Sequence, residues 1–175
     1  KLPNILICGK MASGKSTLRN IIMNMFPQYK HYAFGNKVKE IASDLFFMGK
    51  NEKNRKLLTS IGTKMREIDP NVWVNYVINN INEEECVIID DLRYQNELDM
   101  IVKNRKNWYI INIQISPKLQ IERLKNLYDN WELHKKKINH HSEKQKFKNV
   151  KFDYTINMDY YHKMFQRLED YNDFI

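Results

Sequence analysis

The sequence predicts an α/β domain: a three-layer fold with about five parallel strands and helices on both faces of the sheet. Three observations carry that expectation. Short apolar runs fall at residues 4–8, 31–34, 86–90, 108–115 and 153–157, each of strand length. Between them, apolar residues recur at helical spacing. The first run leads into Gly9-Lys10-Met11-Ala12-Ser13-Gly14-Lys15-Ser16, which fits G-x-x-x-x-G-K-[ST], a phosphate-binding loop set between a strand and a helix.

Taken in order, Ile5-Leu6-Ile7-Cys8 reads as a buried strand, and Leu18, Ile21, Ile22, Met25 and Phe26 follow at the period of one helix face. His31-Tyr32-Ala33-Phe34 is a weaker strand. Val38, Ile41, Ala42, Leu45 and Phe46 mark an amphipathic helix, and Leu57, Leu58, Ile61 and Met65 mark another. Asp69 before Pro70 reads as an N-cap followed by proline at the first helical position, opening a helix through Trp73, Tyr76, Val77 and Ile81. Val87-Ile88-Ile89 is a strand that ends in Asp90 and Asp91. After the fourth run Ser116-Pro117 repeats the cap signal, and Met164, Phe165 and Leu168 close the chain with a last helix.

At 175 residues and 42% hydrophobic content the chain holds one good core, so one domain spanning 1–175 is expected. Five Gly and four Pro leave no flexible linker. The start at Lys1-Leu2-Pro3-Asn4 shows no signal-peptide pattern, and no run approaches the roughly 20 apolar residues of a membrane span. A cytoplasmic protein with no membrane partner is the expectation. Cys8 and Cys86 both fall in strand-like runs and read as buried thiols rather than a disulfide. The formal charge of +8 favours a polyanionic partner, which nucleotides and nucleic acids both are. The basic residues form three clusters, Lys103/Arg105/Lys106, Lys135 to Lys137 and Lys144 to Lys151, rather than one stripe, which argues against nucleic acid. His134, His140 and His141 lack the cysteines or spacing of a zinc site.

The loop assigns a donor. Gly9, Lys10, Ala12, Ser13, Gly14, Lys15, Ser16 and Thr17 would cradle a nucleoside triphosphate, with Lys15 on the outer phosphates and the Ser16 hydroxyl on Mg²⁺. Asp90 and Asp91, at a strand end, suit a metal held through its water shell. Arg93 then projects beside the reacting phosphates or pairs with a local carboxylate such as Glu97. A GTPase is disfavoured, because Asn36-Lys37-Val38-Lys39 lacks the aspartate of a guanine reader. A hydrolytic motor is disfavoured too, since Leu92 rather than glutamate follows Asp91. Transfer to a bound acceptor remains, with helices in 37–82 building its pocket over the carboxyl ends of the strands. If that acceptor is a phosphate it is already ionised, needs no general base, and requires only cations to hold it in line. Lys39, Arg55, Arg66 and Arg93 are the candidates.

Several ordered blocks now resemble one family. Phe34-Gly35-Asn36-Lys37-Val38-Lys39, the run from Ile61 through Arg66 to Asp69-Pro70-Asn71-Val72-Trp73, Asp91-Leu92-Arg93-Tyr94-Gln95-Asn96-Glu97 and His140-His141-Ser142-Glu143 are similar to signatures of the phage- and virus-type deoxynucleoside monophosphate kinases. That resemblance implies ATP and Mg²⁺ served by Lys15, Ser16 and Asp91, with Arg66, Trp73 and Arg93 facing the acceptor nucleotide, and it adds Phe34 and Glu143 as acceptor-side residues. It implies catalytic roles for Lys15, Arg66, Asp91 and Arg93, and it allows a homodimer. Asp90 is extra to the family pattern and leaves open which carboxylate leads. The segment from about 120 to 148 occupies the place of the family's lid, where Arg123 would stack on adenine or touch ATP phosphates. Trp73 suits base stacking and core packing equally. The competing functions are a kinase of another small phosphorylated acceptor such as phosphomevalonate, and a nucleic-acid-binding ATPase or polynucleotide kinase.

Overall fold

In the computed structural model, which describes residues 2–49, 54–129, 131–138 and 147–172, the strands are β1 (Asn4–Gly9), β2 (Tyr29–Tyr32), β3 (Cys86–Ile89), β4 (Trp108–Gln114) and β5 (Tyr154–Asn157). They form one parallel sheet in the order β2-β3-β1-β4-β5. The helices are α1 (Lys15–Met25), α2 (Phe34–Phe46), α3 (Arg55–Ile68), α4 (Val72–Asn80), α5 (Gln95–Asn104), α6 (Pro117–Leu127), α7 (Trp131–Ile138) and α8 (Met158–Asn172). The expected three-layer α/β architecture is therefore the observed one.

Successive strand residues point to opposite faces, and the sheet uses that alternation to seed two cores. Leu6, Cys8, Val87 and Ile89 pack with α2 to α5 through Val38, Ala42, Ile61, Trp73, Val77 and Leu98. Ile5, Ile7, Ile88 and Ile113 pack on the other face with α1, α6 and α8 through Leu18, Ile22, Leu119 and Phe165. The near-continuous apolar strands in the sequence follow from this burial on both sides. Neighbouring β1 and β3 thus send their following helices, α1 and α5, to opposite faces. The crevice beyond their carboxyl ends is the switch point where open α/β sheets bind ligands. Among the described residues no helix is long and apolar enough to cross a membrane.

Three local expectations shift. The second strand runs from Tyr29 to Tyr32, not 31–34, because Phe34 already opens α2. Asp69 ends α3 instead of capping the next helix: its Oδ1 accepts the Asn71 amide at 2.8 Å in a tight turn, and α4 starts only at Val72. The apolar run from Trp73 still forms a helix, starting two residues late. The 86–104 stretch contains α5, a helix missing from the expected elements although Leu98, Ile101 and Val102 fall at helical spacing.

The Ser116-Pro117 signal holds. Ser116 is the N-cap of α6, accepts the Leu119 amide at 3.3 Å, and donates its hydroxyl to Asp159 at the start of α8. Ser116→Ala is expected to lower unfolding stability by about 1 kcal/mol, the usual effect of deleting a cap. Denaturant titration checks it, and an unchanged midpoint would show that the cap contributes nothing.

Candidate functional site

The phosphate loop leaves β1 at Gly9 and enters α1 at Lys15. Its shape needs glycine twice. A Cβ on Gly9 would lie 2.6 Å from Ser13 Oγ and 2.8 Å from the Ile113 carbonyl oxygen. Gly14 sits at φ 95°, and a Cβ there would meet Phe165 at 2.8 Å and Met158 at 2.9 Å. Gly14 brings no side chain to the first α1 amides, and the first turn of α1 carries no acidic residue. Those amides therefore stay available to an anion. Ser13 Oγ is fully buried and has no hydrogen-bond partner among the described residues, while Ser16 is exposed. A cradle that side chains would fill, an orphaned hydroxyl and an uncapped helix end all fit a polyphosphate. Lys15 is nearly buried, and its Nζ donates to the Lys10 carbonyl at 2.7 Å across the loop.

The loop is braced from the α6 and α8 side. Arg123 Nε donates to the Ala12 carbonyl at 2.7 Å, and Gln120 Nε2 donates to the Met11 carbonyl at 2.9 Å. Glu169 of α8 accepts from Arg123 at 2.7 Å and from the Thr17 hydroxyl at 2.5 Å. Both Gln120 and Arg123 are buried.

Asp90 and Asp91 follow β3 and diverge. Asp90 points to the α1 face, where Arg19 meets its Oδ2 at 2.9 Å and His31 Nε2 meets its Oδ1 at 2.7 Å. Burial pushes its carboxyl up, yet the His31 hydrogen bond and the Arg19, His31 and Lys15 charges outweigh it, so the net shift is down. Asp91 points to the α2 face. Its Oδ1 accepts the Phe34 amide at 3.0 Å and its Oδ2 the Gly35 amide at 2.8 Å, so one carboxylate serves the start of α2. Burial pushes Asp91 up, more than those amides and Arg93 pull it down, and the Asp90 charge adds to the rise.

On that same face Glu97 is 2% exposed. Its Oε2 accepts the Arg93 and Tyr94 amides, both at 3.0 Å, and its Oε1 accepts from Arg66 at 3.1 Å. The Arg66 guanidinium also donates to the Gly62 carbonyl at 3.2 Å and lies 4.4 Å from the Tyr94 ring centre. Burial pushes Glu97 up against the pull of these amides and of Arg66. On this face too, burial pushes the Cys8 thiol of β1 up to about 12, an inert thiol as expected.

A family model described as an AAA domain matches residues 5–148. The chain belongs to the AAA domain family. Two solved structures share its P-loop kinase fold. A gluconokinase from Sinorhizobium meliloti 1021 superposes with a TM-score of 0.53 at 12% identity, over 89% of this chain and 81% of that one. A sugar kinase from Janibacter sp. HTCC2649 superposes with a TM-score of 0.56 at 9% identity, over 99% of this chain and 95% of the other. No curated protein matches the sequence.

Within this AAA domain the structure gathers Lys15, Asp90, Asp91, Arg93 and Arg66 at the carboxyl ends of β1 and β3, but it moves other candidates. Trp73 is 2% exposed and donates its indole N–H to the Gly62 carbonyl at 3.1 Å. It belongs to the core cluster and is not placed to stack on a base. Phe34 is 3% exposed and belongs to the core, so only its amide takes part. Arg123 turns to the loop backbone and Glu169, a brace rather than an adenine platform. Arg55 lies over the Tyr128 ring at 5.6 Å, and Lys39 is exposed on α2. Glu143 and its His140-His141-Ser142 neighbours lie outside the described residues. Glu97 pairs with Arg66 through its side chain and accepts the Arg93 backbone amide.

Residues missing from the sequence reading are Arg19, His31, Gln120 and Glu169. Arg19 lies four positions after Lys15, on the same helix face, which was a signal. The other three act across long sequence separations and left none.

Because folded Asp90 titrates below its ordinary value, its pairing contributes stability at neutral pH and loses it as pH falls through the depressed folded value. Asp90→Asn is expected to destabilise by about 1–3 kcal/mol at pH 7, with the gap narrowing below about pH 4. Thermal melts across pH check this, and a gap that widens on acidification would reverse the sign.

Proposed function

We propose that the protein transfers a phosphoryl group from ATP to a nucleoside or deoxynucleoside monophosphate, giving the diphosphate and ADP. The observation that carries the reading is the commitment of the three carboxylates beside the crevice. Asp91 has a backbone amide on each oxygen, Asp90 has Arg19 and His31, and Glu97 has Arg66 and two amides. A hydroxyl acceptor calls for a carboxylate ready to take its proton. A phosphate acceptor calls for cations, and Arg66 uses two of its five N–H donors on Gly62 and Glu97, leaving others for an oxyanion.

In this reading the loop amides and Lys15 hold the transferring phosphoryl group, and Arg66 and Arg93 hold the acceptor phosphate against the repulsion of ATP. The 37–82 helices form the acceptor region, with Lys39 and Arg55 near its edge; the lid proposed over 120–148 lies in part, at 130 and 139–146, outside the described residues. Mg²⁺, when bound, supplies charge neutralisation at the donor phosphates, and Ser16 with the Asp90 and Asp91 carboxylates would hold it through its water shell. Among the described residues no cluster of three His, Cys, Asp or Glu could hold a metal unaided, so phosphate and water would complete its shell. A cytoplasmic location and a homodimer belong to the same proposal.

One second reading has its own support. Asp91 titrates above its ordinary value, which suits a base, and the fold is shared with a gluconokinase and a sugar kinase. Transfer to a sugar or polyol hydroxyl follows if Asp91 lets go of α2.

ADP release measured across the common NMPs and dNMPs, gluconate and simple sugars separates the two. Turnover with at least one monophosphate and none with the hydroxyl acceptors is expected; the opposite pattern refutes the proposal. Lys15→Ala is expected to cut turnover at least about 100-fold with the fold intact, and Arg66→Ala to raise the acceptor KM about tenfold or more.

A further inference from the structure

We infer that Glu97 is a positioning residue for the acceptor: it fixes the Arg66 guanidinium at the crevice and ties it to the turn that carries Arg93. The inference rests on the acceptor reading above and extends it to a residue that touches no substrate. Glu97 sits at the third position of α5, buried, between the Arg93-Tyr94 turn and the last turn of α3. Its two oxygens divide the work. Oε2 closes the Arg93-Tyr94 turn through two amides, the return half of a capping box. Oε1 reaches 31 residues back along the chain to the last turn of α3 and takes one N–H of Arg66.

The guanidinium is thereby held on three sides. Glu97 and the Gly62 carbonyl occupy part of its edge, and the Tyr94 ring lies against its face. Tyr94 is itself placed by the same carboxylate, so Glu97 sets both the hydrogen bond and the aromatic shelf. A planar fork held in this way reaches an anion without first losing rotamer freedom, and that saving appears as acceptor affinity. The remaining side of the fork keeps donors for two oxygens of a phosphate.

Glu97→Gln isolates the claim. The amide oxygen can still accept the two backbone N–H groups, but the amide nitrogen faces Arg66 with a donor against a donor. In the full chain, acceptor KM is expected to rise about tenfold while kcat and the ATP KM stay within about twofold. In the Arg66→Ala background the same substitution is expected to add nothing, because its effect passes through Arg66. If Arg66→Ala alone leaves the acceptor KM unchanged, the acceptor site itself is misplaced. If Arg66→Ala raises it while Glu97→Gln does not, or if the two effects add, this inference is overturned and the site stands. Should Glu97→Gln fail to fold, Glu97→Asp carries the same cycle, since it keeps the charge but withdraws it by one methylene.

Discussion

The pleat at the end of β3 sends two adjacent carboxylates to opposite faces of the sheet, and both halves of the site depend on that divergence. Asp90 follows Ile88 toward α1, where Arg19, His31 and the charge of Lys15 surround it. Asp91 follows Ile89 toward α2, where it satisfies the first two amides of that helix. A strand period of two makes this unavoidable once Val87 and Ile89 are committed to one core and Ile88 to the other. One residue inserted or lost in β3 would exchange the two carboxylates between the faces.

The donor side is held less by its own motif than by chain that follows it at long range. Gly14 is required because Phe165 and Met158 press against it, and the loop carbonyls of Met11 and Ala12 are claimed by Gln120 and Arg123. Glu169 then links Arg123 to Thr17 inside α1. A loop that must present amides to a polyphosphate profits from such rigidity, since amides already aimed need no reorganisation when charge arrives. The residues that supply it come from α6 and α8, more than 100 positions downstream.

Sequence patterns reveal the layers and the loop because both are written locally. Apolar strands, the Gly-Lys-Ser turn and the Ser116-Pro117 cap each contain their own signal within a few residues. The acceptor side is only half legible. Arg66 and Arg93 stand in motifs and Glu97 closes the same Asp91–Glu97 block, but nothing local says that its side chain reaches back to Arg66. Trp73 and Phe34 mislead for a related reason: an aromatic residue near a site reads the same whether it faces a ligand or, as here, the core. The displaced start of α2 has a tertiary cause. The Asp91 carboxylate, 57 residues from Phe34, decides where that helix begins.

Membership in the AAA domain family and the shared fold describe the phosphate-loop half of the molecule and leave the acceptor to the geometry of its own side. Phosphate loops serve every acceptor class alike, whereas the acceptor is recognised by what stands across the crevice. There the balance of charge is informative. Glu97 partly neutralises Arg66, and Asp91 is turned toward backbone amides, so each carboxylate is occupied in holding structure. Proton abstraction from a hydroxyl would require one of them to abandon that work, with α2 or the Arg93 turn losing its anchor. Binding a second phosphate asks only that Arg66, already placed, meet an anion that needs no base. The arrangement therefore favours the acceptor whose arrival disturbs the fewest existing bonds.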